Sequence, residues 1–77
     1  MTKADKREQK IHENTRNVSL EDFEWLIQRY GHIKVGGSHP EAIIGRESYP
    51  YPKTNPVHPV YVKDLLKLID MNKEGKK

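Results

Sequence analysis

Residues 18–45, VSLEDFEWLIQRYGHIKVGGSHPEAIIG, set the order of the main elements, because they join one capped helix to two short strands. Ser19 is a favourable helix N-cap residue, with the acidic Asp22 three positions later. Apolar side chains then recur at three- and four-residue spacing, at Leu20, Phe23, Leu26, Ile27 and Tyr30. Gly31 follows where a left-handed C-cap would end a helix. The pattern predicts an amphipathic helix from Leu20 to Tyr30.

Two short strands around a glycine-rich turn are predicted after this helix. Residues 32–35, HIKV, alternate in polarity and stop at Gly36 and Gly37, and residues 42–44, AII, end at Gly45. The next stretch, ESYPYPKTNPVHPV at residues 47–60, contains four prolines, each of which removes a backbone donor. A third strand in this stretch is therefore expected to be a short edge strand.

The two ends of the chain have different patterns. Near the C-terminus, one helical face from about residue 60 to residue 72 is apolar, at Val62, Leu65, Leu66 and Ile69. Residues 73–77 are predicted to be a frayed basic tail. The first seventeen residues have apolar side chains only at Met1, Ala4 and Ile11. Residues 1–17 are therefore predicted to form a charged arm, flexible or partly helical, with few long-range contacts.

These elements predict one small α+β domain over residues 18–72. Two amphipathic helices need a shared hydrophobic surface, and a small antiparallel sheet supplies it in a two-layer sandwich. The expected order is helix, three-stranded antiparallel sheet, helix. The expected core joins residues of both helices to residues of the strands: Phe23, Ile27, Leu65, Leu66 and Ile69, with Ile33, Val35, and Ile43 or its neighbour.

Composition limits the possible environment and partners. The 77 residues include no cysteine, so disulfides and thiolate metal ligands are excluded, and a reducing cytoplasm is the expected location. No apolar run resembles a signal peptide or a membrane span, so no membrane partner is expected. The net charge of +3 is concentrated at the two ends of the chain. Charge alone favours a solvated surface over an RNA-binding surface.

The stretch Gly36-Gly37-Ser38-His39 is the most informative for chemistry. Glycine lets backbone approach a phosphate closely, Ser38 can donate a hydroxyl hydrogen bond, and histidine titrates near neutral pH. RNA cleavage needs a base for the 2′-hydroxyl proton and an acid for the leaving 5′ oxygen, and imidazole can serve as either. Taken by themselves, these four residues are more often a simple turn that ends in a surface histidine.

Three segments together resemble the HicA toxin family. They are VSLEDFEWLIQRYG, KVGGSHP and NPVHPVYVKDLLKLID, and the similarity covers about residues 17–70. The resemblance implies a fold similar to the double-stranded RNA-binding domain. It also implies the toxin of a toxin–antitoxin system, a cytoplasmic hydrolase that acts as an mRNA interferase, with His39 as the catalytic residue of the endoribonuclease. A HicB-type antitoxin would be its protein partner and mRNA its substrate.

Further RNA-binding residues are expected around this motif, and no cofactor or metal is expected. Candidate phosphate contacts are Lys34, Arg46 and Lys53, with Gly37, Ser38 and His58 as further RNA-binding candidates. His58 could instead be a solvated loop histidine with no contact to RNA. The four histidines, at positions 12, 32, 39 and 58, lack the short-range pairing of metal sites.

Two departures from the family pattern leave a second function open. Pro40 follows the motif histidine, where it removes a backbone donor and restrains His39. The segment between the motif and the last helix is also short. The alternative is therefore a catalytically inactive RNA-binding or protein-binding module with the same fold.

Three aromatic residues also have two readings each. Tyr49 and Tyr51 either stack on RNA bases or close the edge of the core. Trp25 points away from the stripe of Phe23 and Ile27, so we expect it to pack against the N-terminal arm rather than against a partner.

Overall fold

The computed structural model describes residues 2–74. Its elements in chain order are α1 (Lys3–Glu13), α2 (Leu20–Tyr30), β1 (His32–Lys34), β2 (Glu41–Ile44), β3 (Glu47–Pro50) and α3 (Pro59–Glu74). The strands form one antiparallel sheet in the order β1-β2-β3. The predicted α+β layout of helix, three-stranded antiparallel sheet and helix is confirmed, with one additional helix in the N-terminal arm.

Helix α2 begins as predicted but ends differently. The Ser19 hydroxyl accepts the backbone N–H of Asp22 at 3.1 Å, which is the expected N-cap bond. Gly31 at the other end is extended, with φ −163°, so the left-handed C-cap expected there is wrong. A glycine is needed at this position for another reason. A Cβ on Gly31 would overlap the carbonyl oxygen of Ile43 on β2, so the absence of a side chain lets the chain pass close to the sheet.

The sheet has a well-defined register. Ile33 lies opposite Ala42, and Ala42 lies opposite Tyr49, so these three residues share one face. Within residues 2–74, β3 pairs with β2 alone, as expected for a proline-containing edge strand. The turn between β2 and β3 uses Gly45 at φ +62°, close to the side chain of Asn72 near the end of α3.

The core lies between the helices and one face of the sheet. All five helical residues expected in it are buried: Phe23, Ile27, Leu65, Leu66 and Ile69. From the sheet, Ala42 and Ile44 are buried, whereas Ile33 and Ile43 are only half-buried. Val35 is 80% exposed, so its predicted core position is wrong. The reason is that β1 ends at Lys34, and Val35 already belongs to the turn.

Helix α1 contacts α2 more extensively than the few apolar residues of the arm predicted. Ile11 is its buried apolar anchor, at 3% exposure. The other contacts between α1 and α2 are polar. Arg7 donates to Asp22 at 2.7 and 2.9 Å, and Arg29 donates to Asp5 at 2.7 Å. Tyr30 donates its hydroxyl to Glu8. The expectation of few long-range contacts is therefore wrong for α1, because charged side chains connect the two helices.

The C-terminal tail is only partly described. Residues 73 and 74 continue α3 instead of fraying, and residues 75–77 of the predicted tail lie outside the described residues, as does Met1. Within residues 2–74, none of the helices has the length and apolar character needed to cross a bilayer.

Candidate functional site

The glycine-rich segment forms the connection between β1 and β2. Gly37 has φ +74°, a conformation that L side chains rarely adopt, which explains a glycine there. Ser38 and His39 follow at the outside of the turn, and all residues from Val35 to His39 are exposed. Among the described residues, no side chain forms a hydrogen bond or ion pair with His39. Its imidazole is thus free to meet a ligand from solvent.

Pro40 fixes the base of this turn. Its side chain is buried, and its carbonyl oxygen accepts the backbone N–H of Tyr51 at 3.1 Å. Tyr51 is itself buried, at 1% exposure, and its ring packs edge-on against Phe23 with centroids 4.9 Å apart. The residue directly after His39 is therefore anchored to the core, which limits how far the imidazole can move.

The register places several candidate residues at one end of the sheet. Lys34, the last residue of β1, lies opposite Glu41 at the start of β2, and Glu41 lies opposite Pro50 at the end of β3. The turn with His39 and the segment with Lys53 both leave the sheet at this end. We call it the motif end of the domain. Lys34, Gly37, Ser38, His39 and Lys53 all belong to it, and all are exposed.

Lys53 is partly neutralised by a neighbouring carboxylate. Its Nζ lies 3.8 Å from Glu24 Oε2, and the same oxygen accepts the Tyr51 hydroxyl at 2.8 Å. Burial, together with this hydrogen bond to Glu24, raises the pKa of Tyr51 above its ordinary value. Tyr51 is therefore a core residue that donates to a carboxylate. Of its two readings, closing the core fits, and stacking on RNA does not.

His58 also lies at the motif end but has a structural contact. The bridge between Val18 and Val57, with its N–H to carbonyl bond of 2.9 Å, holds the chain next to the start of α2. His58 then precedes α3, and its Nδ1 accepts the backbone N–H of Val60 at 3.2 Å. This bond serves one of the unpaired donors at the start of the helix. Only Nε2 of the exposed ring is left for a ligand.

Arg46 is separated from the other candidates. It lies in the turn between β2 and β3, at the opposite end of both strands from Glu41 and Pro50. Strands of four residues span roughly 13 Å at about 3.3 Å per residue. The fold therefore does not bring Arg46 together with His39.

An open groove of about 540 Å³ at the motif end was not anticipated from the sequence. It lies between the α1–α2 connection, the segment before α3 and the first turn of α3. Its walls include Arg16, Pro52, Pro56, His58, Val60 and Tyr61. The prolines of residues 50–59 were the one sequence feature that could have indicated this groove. From the sequence they predicted only a short edge strand.

The remaining aromatic residues pack against the protein itself. Tyr49 is half-buried, and its hydroxyl donates to Asp64 at 2.7 Å. The guanidinium of Arg7 lies 4.6 Å from the centre of the Trp25 ring, with Arg29 at 5.8 Å. The expected packing of Trp25 against the N-terminal arm agrees with this contact, because Arg7 belongs to α1.

The motif end therefore offers an exposed imidazole, a hydroxyl, a glycine in a positive-φ turn and two lysines. Within residues 2–74, no three His, Cys, Asp or Glu side chains are grouped as a metal site would require. In comparisons with protein-family models, curated proteins and solved structures, nothing matches this chain.

Proposed function

We propose that this protein is an RNA-cleaving toxin of the HicA type, an endoribonuclease that uses His39 to cut mRNA and thereby inhibits translation. A HicB-type antitoxin would hold it inactive by covering His39. The observation that carries the proposal is the position of His39. It is an exposed imidazole in the turn Gly36–His39, and its neighbour Pro40 is anchored to the core.

The proposed reaction is transfer of the phosphate within the RNA strand. The 2′ oxygen attacks the adjacent phosphorus, the bond from phosphorus to the 5′ oxygen breaks, and the products carry a 2′,3′-cyclic phosphate and a 5′ hydroxyl. One proton leaves the 2′ hydroxyl, and one proton reaches the 5′ oxygen. His39 acts in one of these two transfers, as base or as acid, since imidazole is effective in both roles near neutral pH.

Neighbouring groups at the motif end would bind the phosphates. Lys34 is exposed at the end of β1, before the turn that carries His39, and Lys53 is exposed in the segment after β3, beside Glu24. Ser38 can donate its hydroxyl, and Gly37 has no side chain to obstruct a phosphate. His58 Nε2 is a further donor or acceptor. Arg46 lies too far along the sheet to share this site and would contact only a longer RNA.

Inducible expression of matched variants in bacteria tests the proposal. Wild type should arrest growth and lower protein synthesis, whereas His39→Ala should not. His32→Ala is the matched control, because His32 is also an exposed histidine and lies at the start of β1, away from the motif end. It should arrest growth as wild type does. Arrest by His39→Ala would remove His39 from the chemistry.

The alternative is a module that binds RNA or protein without cutting. Its specific support is that His39 stands without a second titratable partner among the described side chains, so one of the two proton transfers has no evident protein group. A wild-type protein that binds RNA, leaves it intact and permits growth at high expression would establish this alternative.

A further inference from the structure

We infer that the groove beside α3 binds an unpaired base of single-stranded RNA, with Arg16 on the adjacent phosphate. This inference rests on the proposed function, because it names the substrate class of the same site. The groove provides about 540 Å³, within the range of small-molecule binding clefts, and it is open along one side.

The walls of the groove suit the face of a base. Tyr61 and His58 stand edge to face, with ring centroids 6.3 Å apart, and the rings of Pro52 and Pro56 add rigid apolar surface. Val60 is 49% exposed at the same place. Aromatic side chains bind bases without much regard to sequence, because every base has a π face. An apolar cleft with aromatic rings is therefore suited to a single base rather than to a double helix.

Arg16 gives the groove its charge. The guanidinium groups of Arg7 and Arg29 are occupied by carboxylates of α1 and α2. Arg16, in contrast, is exposed and has no hydrogen bond or ion pair within residues 2–74. The residues that line the groove include no Asp or Glu. An unpaired cation beside an apolar cleft without carboxylates is complementary to a nucleotide, whose base is flat and whose phosphate is anionic.

The groove is connected to the His39 turn through the backbone. Pro52 in its wall follows Tyr51, and the N–H of Tyr51 is bonded to the carbonyl of Pro40. One backbone hydrogen bond therefore links Pro40, which follows His39, to Tyr51, which precedes Pro52. The groove and the His39 turn both lie at the motif end, so the inference places one RNA strand across the two. This arrangement selects single strands, since a paired base cannot enter the groove.

RNA binding by the uncleaving His39→Ala protein tests the inference. The probes are a fluorescent single-stranded oligouridylate and a duplex of equal length, titrated at several salt concentrations. In this background, Tyr61→Leu should weaken single-strand binding about 5- to 150-fold, the range for loss of one base–aromatic stack. Arg16→Ala should lower the slope of log affinity against log salt by about 0.7, the value for one phosphate contact on a single strand.

The matched control is Lys67→Ala, which removes one exposed positive charge from α3 outside the groove. It should leave the salt slope and the preference for single strands nearly unchanged. Equal effects of Arg16→Ala and Lys67→Ala would overturn the inference, because the attraction would then be general. Duplex binding as tight as single-strand binding, or full affinity in folded Tyr61→Leu, would also overturn it and would leave a peptide of a partner protein as the occupant.

Failure of the inference and failure of the proposed function give different results. If wild type cleaves RNA through His39 but Tyr61→Leu and Arg16→Ala bind normally, the groove inference alone fails. If wild type cleaves nothing but both groove variants bind weakly, the enzyme proposal alone fails. The absence of any RNA binding would refute both.

Discussion

The backbone N–H of Tyr51 donates a 3.1 Å hydrogen bond to the carbonyl oxygen of Pro40, and this bond joins the two halves of the motif end. One half is the turn with His39, and the other is the proline-rich segment before α3. Both partners are buried, so water does not compete for the bond. Pro40 thus positions the turn that precedes it.

The core can be tested by one pair of apolar truncations. Leu65 is fully buried on α3, so Leu65→Ala should lower the free energy of unfolding by about 2–5 kcal/mol. Val35 is 80% exposed, and Val35→Ala should change it by less than about 0.5 kcal/mol. Chemical denaturation measures both values. Equal losses in the two variants would contradict the placement of the core.

Substitution by alanine should affect stability strongly at Gly31 and weakly at Gly36. At Gly31 a Cβ would overlap the carbonyl oxygen of Ile43, and backbone atoms cannot move aside easily, so Gly31→Ala should destabilise by about 3 kcal/mol. At Gly36 a Cβ would meet nothing within 4 Å, and Gly36→Ala should change stability by less than about 1 kcal/mol. Thermal unfolding of the two variants checks this. A fully stable Gly31→Ala protein would show that α2 does not pass so close to β2.

Alkaline pH should destabilise the fold through two tyrosines. Burial and hydrogen bonds to Asp64 and Glu24 raise the pKa of Tyr49 and Tyr51 above the ordinary value of 10.0. Their neutral forms therefore stabilise the folded state fully below pH 10.0, and this stabilisation is lost as pH rises toward the higher folded-state pKa. The melting temperature should fall above about pH 10, and less steeply in the Tyr49→Phe, Tyr51→Phe double variant. Identical pH profiles would contradict the assignment.

Helix α1 should be the part of the described chain that opens first when its ionic contacts are cut. Arg29 contacts Asp5 at 2.7 Å and Glu8 at 3.3 Å, and the hydrogen bond from Arg29 holds the pKa of Asp5 below its ordinary value. In Arg29→Gln, the amides of α1 should exchange faster while those of the sheet stay protected, because the ion pairs that are lost join α1 to α2 and not to the sheet. Lys6→Gln, on an exposed residue of α1, is the control. Unchanged exchange in Arg29→Gln would contradict a role of the Arg29 ion pairs in holding α1 to α2.

Much of the fold was predictable because local signals were strong. The Ser19 cap and the apolar spacing fixed α2 at Leu20–Tyr30, and the prolines of residues 47–60 indicated that β3 is an edge strand. The inward face of the sheet was harder to predict. Shifting the end of β1 by one residue moves a side chain into solvent, which is why Val35 was misplaced.

Long-range polar contacts and cavities could not be predicted. Nothing in the spacing of Arg7 and Asp22, fifteen residues apart, indicates that they pair across two helices. The groove likewise forms only when Arg16 and the segment before α3 are brought together by the bridge between Val18 and Val57. For the candidate site, the sequence offered candidate residues, but only the register shows that Arg46 lies apart from the rest.

The decisive experiment for the ribonuclease proposal is cleavage of RNA by the purified protein in the presence of a metal chelator. Wild type should cut a single-stranded RNA and leave 5′ hydroxyl and 2′,3′-cyclic phosphate ends, whereas His39→Ala should be at least about 10²-fold slower. Circular dichroism and the melting temperature should show that His39→Ala keeps its fold, since His39 is exposed. Cleavage by folded His39→Ala at the wild-type rate, or no cleavage by wild type at all, would contradict the account.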